Sequence, residues 1–408
     1  MSLARLWESL LPIGRDDPAG GYRRYAFTEA ELACRSWFRA AAAERGLAVS
    51  ADRDANLWAW WDPPGGARRT GAIVTGSHLD SVPDGGAFDG PLGVASGFAA
   101  IDLLRDRGRV PASPIAVTAF CEEEGARFGL ACLGSRLLTG TVDPGTARAL
   151  RDGAGVSLAE AMAAAGYDPA LIGPDEDLLG GIAAFVELHV EQGRALADPP
   201  GAALGVAAGI WPHGRWRFDF TGRADHAGTA RLADRQDPML PFAATALAAR
   251  ECAARLGTLA TFGKIVADPG GVNAISSSVR AWLDARAPDQ AGLDQTVATI
   301  RAAAERAARD HDVAVGVRVE SVTPPVNFDP ELRDRIVAVL AAAGIDAPVL
   351  ATGAGHDAGV LAARLPTAML FVRNPTGVSH APAERAEPAD CELGVTALAA
   401  VLEDLACR

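Results

Sequence analysis

The sequence predicts an α/β fold in which a discontinuous main domain, a mostly parallel mixed sheet flanked by helices, is interrupted by an inserted α+β domain with an antiparallel sheet and two helices. Three observations predict it. Short apolar runs alternate with Ala-rich helical segments in the first half and again near the C-terminus, the pattern of buried parallel strands. Between about Gly209 and Thr323 the texture changes to strands wet on one face. The 408 residues, 49% of them hydrophobic, suffice for two cores. The expected division is 1–208 and 324–408 for the main domain and 209–323 for the insertion.

Taken in order, Ala40 to Ala43 belongs to a helix, and Ala72 to Gly76, Ile115 to Phe120, Ala183 to Val190 and Ala368 to Val372 read as buried strands. Within the insertion, Trp216, Phe218 and Phe220 alternate with Arg215, Arg217 and Asp219, as a half-buried strand requires. A long helix follows Pro238. Strands are expected at Leu259 to Val266, Val279 to Arg286 and Val313 to Val319, with a helix from Asp289 to Arg309. Parallel-sheet patterning then resumes with a helix from Pro330 to Ala343, which makes the middle segment an insertion.

Composition excludes several classes. Lys and Arg total 38 against 51 Asp and Glu, a net charge of −13, so the average surface repels a phosphate backbone and nucleic acid is not an expected partner. No stretch reaches the roughly 18 to 20 apolar residues that cross a bilayer. The N-terminus meets charge and proline before a secretory core could form, so no membrane partner and a cytoplasmic location are expected. Cys34, Cys121, Cys132, Cys252, Cys391 and Cys407 have no CxxC spacing; they are expected as buried thiols rather than a disulfide framework or zinc knuckle.

The histidines carry the functional signal. Gly76-Ser-His-Leu-Asp places His78 and Asp80 two apart at a strand end, facing one side, so Asp80 could hold the second nitrogen of a metal-ligating His78. Asp89 follows in a Gly-rich loop, free to bridge two ions. Glu122, Glu123 and Glu124 stand after another strand, and adjacent carboxylates repel unless a cation or solvent neutralises them. Glu187, His189 and Glu191 share a strand face, and His380 sits in a Gly/Pro loop with Glu384 nearby. Alone, each has a plainer reading: a hydrogen-bonded turn, a solvated acidic loop, a surface histidine. Four such clusters at strand ends of one chain together specify a two-metal site, and imidazole with carboxylate suits Zn, Mn, Co or Ni without choosing among them. Two ions would activate a water and polarise a carbonyl, and a carboxylate must still shuttle the proton.

At this point the sequence resembles the M20 metallohydrolases, most closely the branch of N-carbamoyl-L-amino-acid hydrolases and allantoate amidohydrolases. The resemblance rests on GSHLDSVPDGGAFDGPLGV (Gly76 to Val94), EEEGARF (Glu122 to Phe128), ELHVEQG (Glu187 to Gly193), DHAGT (Asp225 to Thr229), GAGHDAG (Gly353 to Gly359) and GVSHAPAE (Gly377 to Glu384). It implies that His78, Asp89 and His189 hold one ion, that Asp89, Glu124 and His380 hold the other, and that Glu123 is the general base. It implies that the insertion is a lid and dimerisation domain of a homodimer, whose His226 reaches the scissile carbonyl of the neighbouring subunit. Asn273 and Arg286 match the pair that grips the substrate's carboxylate; Gln192, His356 and the backbone of Gly355 match further substrate contacts. His189, where the similar exopeptidases usually carry a carboxylate, favours an amidohydrolase of linear ureido or amide C–N bonds.

The sequence departs from the family pattern at Ala230-Arg231-Leu232, at Trp211-Pro212-His213 and at Pro375, where relatives commonly carry a basic residue that Arg373 would replace from a shifted position. His213 and His311 read as structural. Asp357 is either a helix cap or a substrate contact. Two other functions compete with the leading one: an aminoacylase or dipeptidase using the same water, and a catalytically silent binding or assembly protein. The intact set of ligands with a base beside them argues against the silent reading.

Overall fold

A computed structural model describes residues 3–66 and 69–407. The chain forms two compact units, one running to Gly209 and resuming at Asn327, the other comprising Ile210–Val326.

In chain order the first unit supplies strands β1 (Ala48–Ala51), β2 (Leu57–Trp61), β3 (Ala72–His78), β4 (Ile115–Phe120), β5 (Ile182–Val190) and β6 (Leu204–Ile210). The second unit follows with β7 (His213–Thr221), β8 (Asp225–His226), β9 (Leu259–Asp268), β10 (Ala274–Ile275), β11 (Ser278–Arg286) and β12 (Ala314–Thr323). β13 (Val326–Asn327), β14 (Val349–Thr352) and β15 (Thr367–Val372) return the chain to the first sheet.

That sheet has the order β1-β2-β4-β3-β5-β15-β6-β13, with β14 also on β6. Its centre, β4-β3-β5-β15, is parallel, and β3, β4 and β15 are buried along their whole length. Strands covered on both faces need continuous apolar side chains, which Ile73, Val74, Ile115, Val117, Leu370 and Phe371 supply. The flanking pairs β1–β2, β2–β4 and β15–β6 are antiparallel, so the sheet is mixed. The sequence reading names only the central strands of this sheet; β1, β13 and β14, of two to four residues, are too short to show a period. The helices Pro91–Asp106 and Pro388–Ala406 join one core with the sheet, where Phe98, Leu104, Leu398 and Leu402 meet Val117, Val186 and Leu188. Phe38 of the helix Glu29–Glu44 packs edge-on against Phe98 at 5.1 Å between ring centroids.

The second unit is an antiparallel sheet, β12-β7-β11-β9, with the helices Met239–Leu256 and Gln290–Asp310. Phe218 and Phe220 of β7 and Leu283 of β11 are buried with Phe242 and Ile300 of the helices, while Arg215 is exposed and Arg217 and Asp219 are partly so. β8 and β10 form a separate two-stranded ribbon. Among the described residues all six cysteines are free, five of them buried, and no helix is long and apolar enough to cross a membrane.

Candidate metal centre

The chemistry-bearing residues of the first unit gather at the carboxyl ends of its parallel strands, where open α/β sheets present their ligands. His78 is the last residue of β3, His189 the next to last of β5, the glutamates follow β4, and His380 lies in the loop after β15. Asp89 comes from the loop before the helix Pro91–Asp106, whose N-terminus favours its negative charge. The backbone turns there at Gly90 with φ +83°, and a Cβ would stand 2.5 Å from the His78 ring, so only glycine permits this approach.

Asp89 is the hub. Its Oδ1 lies 3.5 Å from His78 Nε2 and 3.2 Å from His189 Nε2, and its Oδ2 lies 3.3 Å from His380 Nε2. Glu124 Oε2 is 3.6 Å from His380 Nε2, and Glu123 Oε2 is 3.7 Å from His78 Nε2. Ligand atoms of His78, Asp89 and His189 lie within 4.8 Å of one another, and so do those of Asp89, Glu124 and His380. Two similar groups, Glu187 with His189 and His356, and His78 with Glu123 and Glu124, adjoin them.

The surroundings set the direction of each group. His189 Nδ1 donates to the Val190 carbonyl at 2.8 Å, and His78 Nδ1 faces the Asp80 carbonyl at 3.2 Å, so both present Nε2 to Asp89. The Asp80 carboxylate accepts the backbone N–H groups of Glu123 and Glu124 at 3.2 and 3.0 Å, fixing the two side chains that follow. Glu122 turns away in a left-handed conformation, φ 54°, and its Oε1 accepts from Arg127 and Phe128 backbone N–H groups. One glutamate of the three therefore closes the loop and two enter the site.

Electrostatics point the same way. Burial, then Asp89, pushes the Glu124 carboxyl up to about 7, and burial pushes Glu123 well above the usual carboxylate range. Burial works against ionised Asp89, but His189, His380 and His78 hold it well below that range. The hydrogen bond to Asp89 raises His380 to about 9.

A divalent cation fits this donor set. Glu124 Oε1 and His189 Nε2 are buried with no hydrogen-bond partner among the described residues, a cost that an ion would remove. Nitrogen and oxygen donors without thiolate match a borderline metal.

Other expected site residues fall in different places. Gln192 Nε2 donates to Asp89 Oδ2 at 2.8 Å and is 3.2 Å from His380 Nε2. Gly355 is exposed, whereas His356 is buried, its ring 4.5 Å from that of His189, and burial holds it neutral. Among the described residues Asp357 does not cap the helix Asp357–Leu361; its Oδ1 accepts from Ser135 Oγ at 2.5 Å. The Arg373 guanidinium pairs with Asp390 at 2.8 and 2.9 Å.

Within the second unit, His226 and Asn273 are brought together, since β8 pairs His226 with Ala274 and Ala227 N–H donates to the Asn273 carbonyl at 3.0 Å. Gly228 N–H donates to His226 Nδ1 at 3.0 Å, which leaves the proton on Nε2. Arg286 is not brought to Asn273. It ends β11 opposite His213 while Asn273 precedes Ser278 at the other end, and a nine-residue strand is about 26 Å long. The length of β11 therefore stands between the two residues within one chain. Arg286 Nε instead donates to Asp284 Oδ1 at 2.8 Å.

Two supporting residues escaped the sequence reading. Ser77 Oγ donates to Glu187 Oε1 at 2.6 Å, and Cys132 Sγ donates to Glu123 Oε1 at 3.2 Å while its N–H bonds the Glu123 carbonyl at 2.6 Å. Ser77 could have been found by its place beside His78; Cys132 carries no such signal.

Residues 74–404 match the profile of peptidase family M20/M25/M40. The chain is 36% identical over 406 residues to an N-carbamoyl-L-amino acid amidohydrolase of Geobacillus stearothermophilus, covering 97% of this chain and 96% of that one. It is 32% identical to an allantoate amidohydrolase of Escherichia coli K12, covering 96% and 94%. A crystal structure of a hydantoinase/carbamoylase family amidase from Burkholderia vietnamiensis superposes with a TM-score of 0.88 at 30% identity, over 100% of this chain and 98% of that one.

Proposed function

The chain belongs to peptidase family M20/M25/M40 and is a hydrolase of C–N bonds, and on that premise we propose that it is a binuclear amidohydrolase that cleaves the ureido C–N bond of a small carboxylate-bearing substrate, an N-carbamoyl-L-amino acid or allantoate. The observation that carries the reading is the pair of ligand groups sharing Asp89, with Glu123 beside them.

His78, Asp89 and His189 would hold one ion and Asp89, Glu124 and His380 the other. When bound, such ions polarise a carbonyl and make a water acidic. Glu123 takes a proton from the attacking water and returns it to the leaving nitrogen as the C–N bond breaks. Its burial suits that role, because a carboxylate in a low-dielectric site holds a proton longer than one in water, and the Cys132 contact orients it. His226, protonated at Nε2, donates to the developing oxyanion, and Arg286 binds the carboxylate through its planar fork. Gln192, Gly355 and His356 complete the substrate contacts. One chain holds Asn273 and Arg286 a strand's length apart, so both touch one small molecule only if two copies contribute, which supports a homodimer in which the second unit acts as lid and interface.

The test is a panel of N-carbamoyl-L-amino acids, allantoate, N-acyl amino acids and dipeptides, assayed with Mn, Zn, Co and Ni. Ammonia release from the ureido acids is expected. Cleavage confined to acyl amino acids or dipeptides would replace this reading with the aminoacylase or dipeptidase one.

A further inference from the structure

The loop that carries His380 has a conformation that needs holding. His380 lies at φ 55°, a left-handed backbone that a side chain with a Cβ rarely adopts and that persists only when the surroundings fix it. Upstream, the buried Asn374 binds the loop, its Oδ1 accepting from Thr376 and Gly377 backbone N–H groups and its Nδ2 donating to the Val378 carbonyl at 2.8 Å. Downstream, the loop ends at Glu384, whose side chain is buried although glutamate is a surface residue by preference.

The Glu384 carboxylate reaches beyond its own loop. Its Oε2 accepts the backbone N–H groups of Phe88 and Asp89 at 2.9 and 3.0 Å, the latter 295 positions away in sequence. Its Oε1 lies 3.2 Å from Ser379 Oγ, which is itself 3.3 Å from Asp89 Oδ2. The chain has made room for this reach. A Cβ at Gly86 would stand 2.2 Å from Glu384 Oε2, so the segment leading to Asp89 passes over the carboxylate only as glycine.

We propose that Glu384 is a positioning residue for the ion held by Asp89, Glu124 and His380, fastening the Asp89 loop to the His380 loop through two amides and the Ser379 hydroxyl. This rests on the two-ion reading above. The asymmetry follows from where the ligands sit. His78 and His189 belong to β3 and β5 and are held by the sheet, so the ion between them and Asp89 needs Glu384 only for the aspartate. His380 belongs to a loop, and its distance to Asp89 and Glu124 depends on the clamp.

The experiment titrates Co²⁺ into metal-free protein, followed by calorimetry and visible absorption, for the wild type, Glu384→Ala, Glu384→Gln and Ser379→Ala. The wild type is expected to bind two ions. In Glu384→Ala one of them should weaken about 10- to 100-fold, the usual cost of losing a group that orients metal ligands, while the other changes little. Glu384→Gln, which keeps one accepting oxygen, should fall between, and Ser379→Ala should weaken the same ion least. Metal-free melting temperatures of Glu384→Gln and Ser379→Ala should stay near the wild type, which separates loss of positioning from loss of fold and leaves two informative variants if Glu384→Ala does not fold. Two unchanged affinities, or an equal loss at both sites, would overturn the proposal. A wild type that binds fewer than two ions would instead overturn the two-ion reading on which it stands.

Discussion

The two units present their polar groups in opposite ways. In the first, His78, Asp89, Glu123 and His189 are buried, and each touches residues from distant parts of the same unit. In the second, His226 and Asn273 are exposed, Arg286 is partly so, and the sheet separates Arg286 from the other two. Charged contacts become strong when water is excluded from them. On our reading, one chain therefore assembles a candidate cation cluster on its own but offers only halves of an anion grip, and a second copy and the substrate supply the missing desolvation.

The most damaging change to the contrast is at its buried end. Glu123→Gln should lower turnover by about 10²- to 10⁴-fold, the usual contribution of a general base, with metal content unchanged; full turnover would remove Glu123 from the reaction. Next comes the exposed end. His226→Ala should lower kcat by about 10²- to 10³-fold without altering bound metal, as loss of an oxyanion donor does. Mixing Glu123→Gln with His226→Ala chains under subunit exchange should restore about a quarter of wild-type activity, because randomly mixed two-fold dimers include some with one intact composite site. No recovery would place His226 with its own chain's Glu123 and dissolve the comparison.

Much of the first unit was legible in sequence. β3, β4, β5 and β15 are continuous apolar runs, and the polar residue types standing at their ends drew attention to His78, Asp89, Glu124, His189 and His380 before any fold was known. The supporting contacts were not legible, because Glu384 meets Asp89, and Ser77 meets Glu187, across separations that no local pattern encodes. In the second unit the spacing of Asn273 and Arg286 was not legible: they lie thirteen positions apart in sequence, and only the extended geometry of β11 reveals how far apart they are in space. For Arg373 the charge was visible and its partner Asp390 was not.

Two smaller effects sharpen the contrast further. Arg286→Lys keeps the charge but loses the planar fork, so KM for a carboxylate substrate should rise about tenfold while kcat changes less, in steady-state assays. The smallest effect concerns a buried carboxylate outside the site. Burial, then Asp52, pushes Asp54 up to about 8, and its Oδ1 accepts the Gly173 N–H at 2.8 Å. The unfolded chain releases that proton near pH 4, so from about pH 4 to 8 the folded state holds more protons and stability falls as pH rises. Asp54→Asn keeps an accepting oxygen and removes the slope. Its melting temperature relative to wild type should rise steadily between pH 5 and 8; parallel curves would show that Asp54 is ionised in the native state.

Asp89 stands at the head of the helix Pro91–Asp106, which is buried on every side from Pro91 to Ile101. That helix is a rod through the middle of the larger core, and whatever draws on the aspartate draws on the rod. Loading with cations would therefore act as a thermal fastener for the larger unit, worth about 2.7 kcal/mol at a hundredfold excess over the dissociation constant. Chelation would loosen the same core as a whole, and heat tolerance would track mineral supply even in a variant that turns over nothing.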